Sequence, residues 1–99
     1  MVAVVENWSD LSGTVREVAP ADAGGLGSVV LDVDKVAEVA GFKNLLDDVA
    51  DTTVRIAVRD DALRRTDLKP GMRVVCRTRT AGPDRLFAHP DHPEVVTEP

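Results

Sequence analysis

Two stretches of alternating sequence, residues 53–59 and 72–79, restrict the architecture of this chain more than any other feature. A β-strand repeats every two residues, so Val54, Ile56 and Val58 share one face of the first stretch, while Arg55, Ala57 and Arg59 share the other. In the second, Met72, Val74, Cys76 and Thr78 oppose Arg73, Val75, Arg77 and Arg79. A guanidinium buried without a partner is costly, so the aliphatic faces must form the core and five arginines must point outward.

The rest of the chain supplies further strands and the turns between them. Residues 11–19 read as a strand carrying Gly13, and a glycine inside a strand commonly marks a bulge or bend. Pro20 and the glycines at 24, 25 and 27 make residues 19–27 a flexible connection. No Gly-Lys-Ser/Thr follows them, and residues 28–34 alternate instead of opening a helix, which argues against a phosphate-binding loop. Val29, Leu31 and Val33 point inward in that strand, Asp32 and Asp34 outward. Between 35 and 51 apolar residues recur at spacings of three and four, which predicts a helix over about 42–50; residues 35–40 suit either helix or an extension of the strand through a bulge near Asp34. A helical turn near 60–66 follows, with Asp60 or Asp61 placed to cap it. Lys69-Pro70-Gly71 has the composition of a type II turn, and Ala81-Gly82-Pro83-Asp84 is a second turn leading into a short fifth strand at 85–88.

Ninety-nine residues with 43% hydrophobic content fit one core. The expected organisation is an irregular leader (1–9) anchored by Trp8, a β-barrel domain (10–89) and an acidic, proline-containing tail (90–99) that is weakly ordered. The first residues lack a basic region and their apolar run stops at Glu6, which is unlike a signal peptide, and no segment approaches the ~20 apolar residues of a membrane span. Cys76 has no disulfide partner in the chain, and its place on an apolar strand face suits a buried thiol in a reducing compartment. A soluble, cytoplasmic protein without membrane contact is expected.

The net charge of −5 conceals a polarity along the sequence. Residues 1–51 carry three basic against ten acidic side chains, residues 52–89 nine against four. Such a split suits either an electropositive face for a polyanion or two halves that neutralise each other. Catalysis is not expected: Ser9, Ser12 and Ser28 sit in leader or strand contexts, and no nucleophile has a base in a fixed motif. His89, Asp91, His92 and Cys76 are metal-ligand types, but a proline-rich turn does not offer the four fixed ligands of a structural zinc site. Asp47, Asp48 and Asp51 lack the glycine and bidentate glutamate of a calcium loop. No cofactor is expected.

Five strands with glycine-marked bends, a helical insert and the Leu68-Lys69-Pro70-Gly71-Met72-Arg73-Val74 entry into the fourth strand resemble an OB-fold, the five-stranded oligonucleotide- and oligosaccharide-binding barrel, over residues 10–89. That entry and Leu11-Ser12-Gly13-Thr14-Val15 are also similar to segments of TOBE domains, small OB-type modules of transport and molybdate-binding proteins. The helix predicted at 42–50 falls between strands two and three, whereas the OB family usually has its helix between strands three and four. The resemblance implies binding on the outer face of strands two and three, flanked by the loops at 19–27 and 81–84. On that basis the chain is expected to be a mainly β, non-catalytic OB-like module that contacts single-stranded nucleic acid through Arg55, Arg59, Arg73, Arg77 and Arg79. The alternative is a protein-interaction or self-association module in which the same arginines and the acidic half dock a charge-complementary partner or a second copy. Asp32 and Asp34 are placed to pair across strands with Arg55 and Arg59 and to repel a phosphate backbone. With only Trp8, Phe42 and Phe87, stacking groups are few.

Overall fold

The computed structural model describes residues 6–81 and 85–96. It contains β1 (Ser9–Ala19), β2 (Leu26–Glu38), a 3-10 turn (Asp47–Val49), β3 (Thr53–Arg59), α1 (Asp60–Thr66), β4 (Arg73–Thr80), β5 (Leu86–Ala88) and β6 (Glu94–Val95). The sheet runs β1-β2-β3-β5-β4, and a further pairing of β1 with β4 closes it into a five-stranded barrel, with β6 added beside β4. The neighbours are antiparallel except β3 and β5, which meet in parallel at Ala57 and Phe87. A closed mainly β barrel is therefore the fold, and its arrangement is compatible with an OB-like one. Residues 82–84 of the turn expected at 81–84 and the outer parts of the leader and tail lie outside the described residues.

The alternation of sequence becomes the barrel wall. Ile56, Val58, Val74, Cys76 and Thr78 are all within 2% of complete burial, while Val54 and Met72 close over the same core from the strand ends. Leu11, Val15, Leu31 and Val33 meet them from β1 and β2. Two bulges curve the β1–β2 pair: Ser12 faces Lys35 but Gly13 faces Val33, which skips Asp34, and Val15 faces Leu31 but Glu17 faces Val30, which skips Arg16. A skipped residue changes the phase of a strand. Hence Val33 is inward, Asp34 and Lys35 are exposed, and Val36 returns to the core, so residues 35–38 continue the strand, the second of the two alternatives above.

The helix predicted over 42–50 is not formed; that segment holds only the single 3-10 turn. Its backbone is engaged elsewhere. Trp8 N–H donates to the Lys43 carbonyl at 3.2 Å, the Asn44 carboxamide oxygen accepts the Leu46 N–H at 3.2 Å, and Gly41 (φ +87°) and Asp51 (φ +64°) turn the chain at either end. Leu46 is buried as the helical spacing would have it, but Phe42 and Leu45 remain exposed. Among the described residues the one α-helix is α1, between β3 and β4, the position the OB arrangement gives it. Arg59 stands at the N-cap position without a side-chain bond, and the Asp61 carboxylate accepts the Ala62 N–H of the first turn at 3.0 Å. Asp60 and Asp61 lie in its first turn and Arg64 and Arg65 in its last, matching the helix dipole, and Asp60 holds Arg64 at 2.9 Å. Asp67, in the left-handed region at φ +47°, ends it with its N–H on the Leu63 carbonyl. Ala62 and Leu68 then seat in the core.

The Lys69-Pro70-Gly71 turn forms as expected, with Gly71 at φ +94° and Met72 N–H returning to the Lys69 carbonyl at 3.2 Å. Past β5 the chain is not the weakly ordered tail its prolines suggest but folds back: His92 and Pro93 are buried and β6 pairs Val95 with Val74. Among the described residues no helix is long and apolar enough to cross a membrane.

Two outcomes test this packing. A Cβ on Gly13 would overlap the Asp32 carbonyl across the bulge, so Gly13→Ala should lower unfolding stability by about 1–3 kcal/mol in urea denaturation; an unchanged midpoint would contradict the β1–β2 register. Burial pushes the Cys76 thiol from its ordinary 9.0 up to about 12. The unfolded thiol thus loses its proton first, and stability should fall as pH rises through that window. Cys76→Ala should flatten this decline, read as the difference in pH slope of the denaturation midpoint; identical slopes would contradict the burial.

Candidate functional site

Closure of the barrel puts β5 between β3 and β4, and this sets one row of outward side chains side by side. Ser28 faces Ala57, Ala57 faces Phe87, and Phe87 faces Arg79, so a serine, an alanine, an aromatic ring and a guanidinium run across four strands. Paired residues in a sheet present their side chains on the same face. Ala57 is small and stands between Arg55 and Arg59, so the row is a depression with a cation on either side of it. The Arg79 guanidinium lies over the Phe87 ring, 5.8 Å from its centre. Trp8 comes in from the strand entry, its ring 5.2 Å from that of His89 at 63°.

Three hollows follow one another along this surface. The first, 270 Å³, lies between Thr53, Arg55 and Leu86; the second, 190 Å³, between Ser28, Arg55, Arg85 and Phe87. The third, 360 Å³, is walled by Trp8, Leu26, Arg59, Arg79, Phe87 and Pro90. Arg55 is shared by the first two and Phe87 by the last two, so the hollows form one track. Four arginines line it, and among the described residues no carboxylate does.

The five arginines expected to act together are divided by their partners. Arg77 lies opposite Asp10 and donates to both of its carboxylate oxygens, at 2.9 and 3.2 Å, and this carboxylate holds the guanidinium above its ordinary pKa. Arg73 reaches Asp34 at 2.9 Å and Thr14 at 3.4 Å. On the track, Arg55 donates to the Ser28 hydroxyl at 3.1 Å, Arg59 stands 3.5 Å from the exposed Asp61, and Arg79 rests on Phe87. The cross-strand pairs expected between Asp32 or Asp34 and Arg55 or Arg59 are replaced by others. Asp32 lies opposite Thr53, whose hydroxyl donates to it at 2.7 Å and, with Arg16 at 3.4 Å, holds the carboxyl below its ordinary range. Asp34, as the bulged residue, is turned toward β4 and Arg73.

Trp8, Arg85 and Phe87 were not among the expected site residues. The sequence places Trp8 nearly eighty residues from Phe87, and no local pattern joins them; only the outward parity of position 87 relative to 86 hints at its face. His89 and His92 stack edge to face at 5.8 Å, but their nitrogens are engaged locally: His89 Nδ1 accepts the Asp91 N–H at 3.1 Å and His92 Nδ1 lies 3.2 Å from the Val75 carbonyl. Among the described residues no three His, Cys, Asp or Glu side chains gather to hold a metal ion.

No protein-family model matches this chain, and no curated protein matches it in sequence. The barrel is carried by the structure, and neither the OB-fold nor the TOBE resemblance by a family match.

The Asp10–Arg77 pair is partly exposed, with 38% of the arginine side chain open to solvent, so its coupling is screened. A double-mutant cycle of Asp10→Ala and Arg77→Ala should give about 1 kcal/mol or less, shrinking at high salt; a coupling of several kcal/mol insensitive to salt would contradict this geometry.

Proposed function

We propose that this protein is a non-catalytic OB-like binding module that contacts single-stranded nucleic acid along the β3–β5–β4 track. The observation that carries the reading is charge sorting: in a chain of net charge −5, Arg55, Arg59, Arg79 and Arg85 line one continuous depression beside Trp8 and Phe87, with no described carboxylate in its walls. Phosphates need cations that are not already committed, and unpaired bases need flat apolar surfaces. Arg55 and Arg79 of the five expected residues offer the first and Arg59 shares its charge only with the exposed Asp61 at 3.5 Å, whereas Arg73 and Arg77 meet carboxylates of β2 and β1 at 2.9 Å. The position of the track is close to the face the OB resemblance implies, moved from strands two and three toward β5 and β4.

The alternative, a protein-interaction module, is favoured by a different feature: Phe42 and Leu45 stand exposed in the loop after β2, 40% and 46% accessible. Binding of a labelled single-stranded oligonucleotide at several salt concentrations separates the two. Contacts from all four arginines of the track should give a slope of log K against log salt of about −3. Changing Arg55 and Arg79 together to Ala should weaken binding and reduce the slope to about −1.4, whereas Arg73→Ala with Arg77→Ala should leave the slope nearly unchanged. No binding at low ionic strength would overturn the nucleic-acid reading in favour of a protein partner.

A further inference from the structure

The track is not uniform along its length. Its upper part, around Arg55 and Ser28, is polar and cationic, whereas the largest hollow combines two aromatic side chains with Leu26 and Pro90. Leu26 is a large aliphatic residue left 39% exposed at the start of a strand, and its neighbour across the sheet is Arg59. Apolar surface held open between two cations suits a ligand that is itself flat and apolar in one part and anionic in the next.

We infer that this hollow is a stacking seat for one unpaired nucleobase, with Arg59 and Arg55 gripping the phosphates on either side of it. The inference rests on the nucleic-acid reading above and assigns a division of labour within that site. Arg79 is central to it. Its guanidinium carbon stands 5.8 Å from the centre of the Phe87 ring, within cation–π range, and both side chains line the hollow, so a base entering it meets an aromatic face and a cation together. Trp8 lines the same hollow. Arg55 and Arg59 are four residues apart on β3, about 13 Å, and Ala57 between them keeps the floor open. A larger residue at 57 would fill the space in which the base lies. A duplex, whose bases are already stacked on one another, has no free ring to offer this seat.

Trp8 is the only tryptophan of the chain, so its emission reports on this hollow alone. The test compares an eight-nucleotide oligothymidylate with an eight-unit abasic oligomer of equal charge, at low ionic strength, by Trp8 fluorescence and by anisotropy of a labelled strand. Both should bind, the oligothymidylate at least ~5-fold more tightly, and only it should quench Trp8. Phe87→Leu, with an unchanged circular dichroism spectrum, should remove most of that difference while keeping the salt slope. Ala57→Leu should do the same by obstruction. Equal affinities with equal Trp8 emission would overturn the stacking seat and leave the phosphate-binding reading standing. Failure of both oligomers to bind would overturn the proposed function and the seat together.

Discussion

Hydrogen bonding of β1 along both of its edges is the constraint on which the other features depend. One edge pairs with β2 from Ser9 to Ala19 and the other with β4 from Ser9 to Thr14, so a sheet that begins at β1 also ends there. A closed sheet has an inside, and the inside takes whichever face is aliphatic. The two bulges at Arg16 and Asp34 let β1 and β2 bend enough to meet this demand, and Gly13 allows the strands to approach where the bend is sharpest. Closure also determines that β5 lies against β3, in parallel, which no local rule about consecutive strands would require.

The same bulges decide the electrostatics of the surface. By taking Asp34 out of the regular alternation, the bulge at Asp34 gives it to Arg73. Asp10, at the start of β1, lies opposite Arg77 because of the β1–β4 register. Exposed or half-exposed pairs of this kind contribute little to stability. Their consequence is a distribution of charge: Asp10 and Asp34 meet the two arginines on the β1 side of β4, whereas Arg79 on the β5 side stands beside an aromatic ring.

Strand faces were legible in the sequence because a period of two is a local property and a buried guanidinium is heavily penalised. The inward residues of residues 53–59 and 72–79 are those the alternation specifies, and Gly13 marks a bend as a strand glycine should. The stretch at 42–50 has helical apolar spacing and forms no helix, because spacing does not reveal that Asn44 and Trp8 take hydrogen bonds a helix needs. The site was half legible. Outward arginines follow from parity, but which of them meet a carboxylate depends on register between strands far apart in sequence. The gathering of Trp8, Phe87 and Arg79 depends on barrel closure and has no signature along the chain.

The division of the arginines by their partners is the claim on which both fold and function bear. Its most direct test is residue-by-residue amide NMR of the protein during titration with a short single-stranded oligonucleotide at low salt. Shifts confined to Trp8, Leu26, residues 55–59, Arg79 and Phe87, with Asp10, Arg73 and Arg77 unmoved, are the predicted result. Shifts centred on Arg73 and Arg77, or spread evenly over all exposed cations, would contradict it.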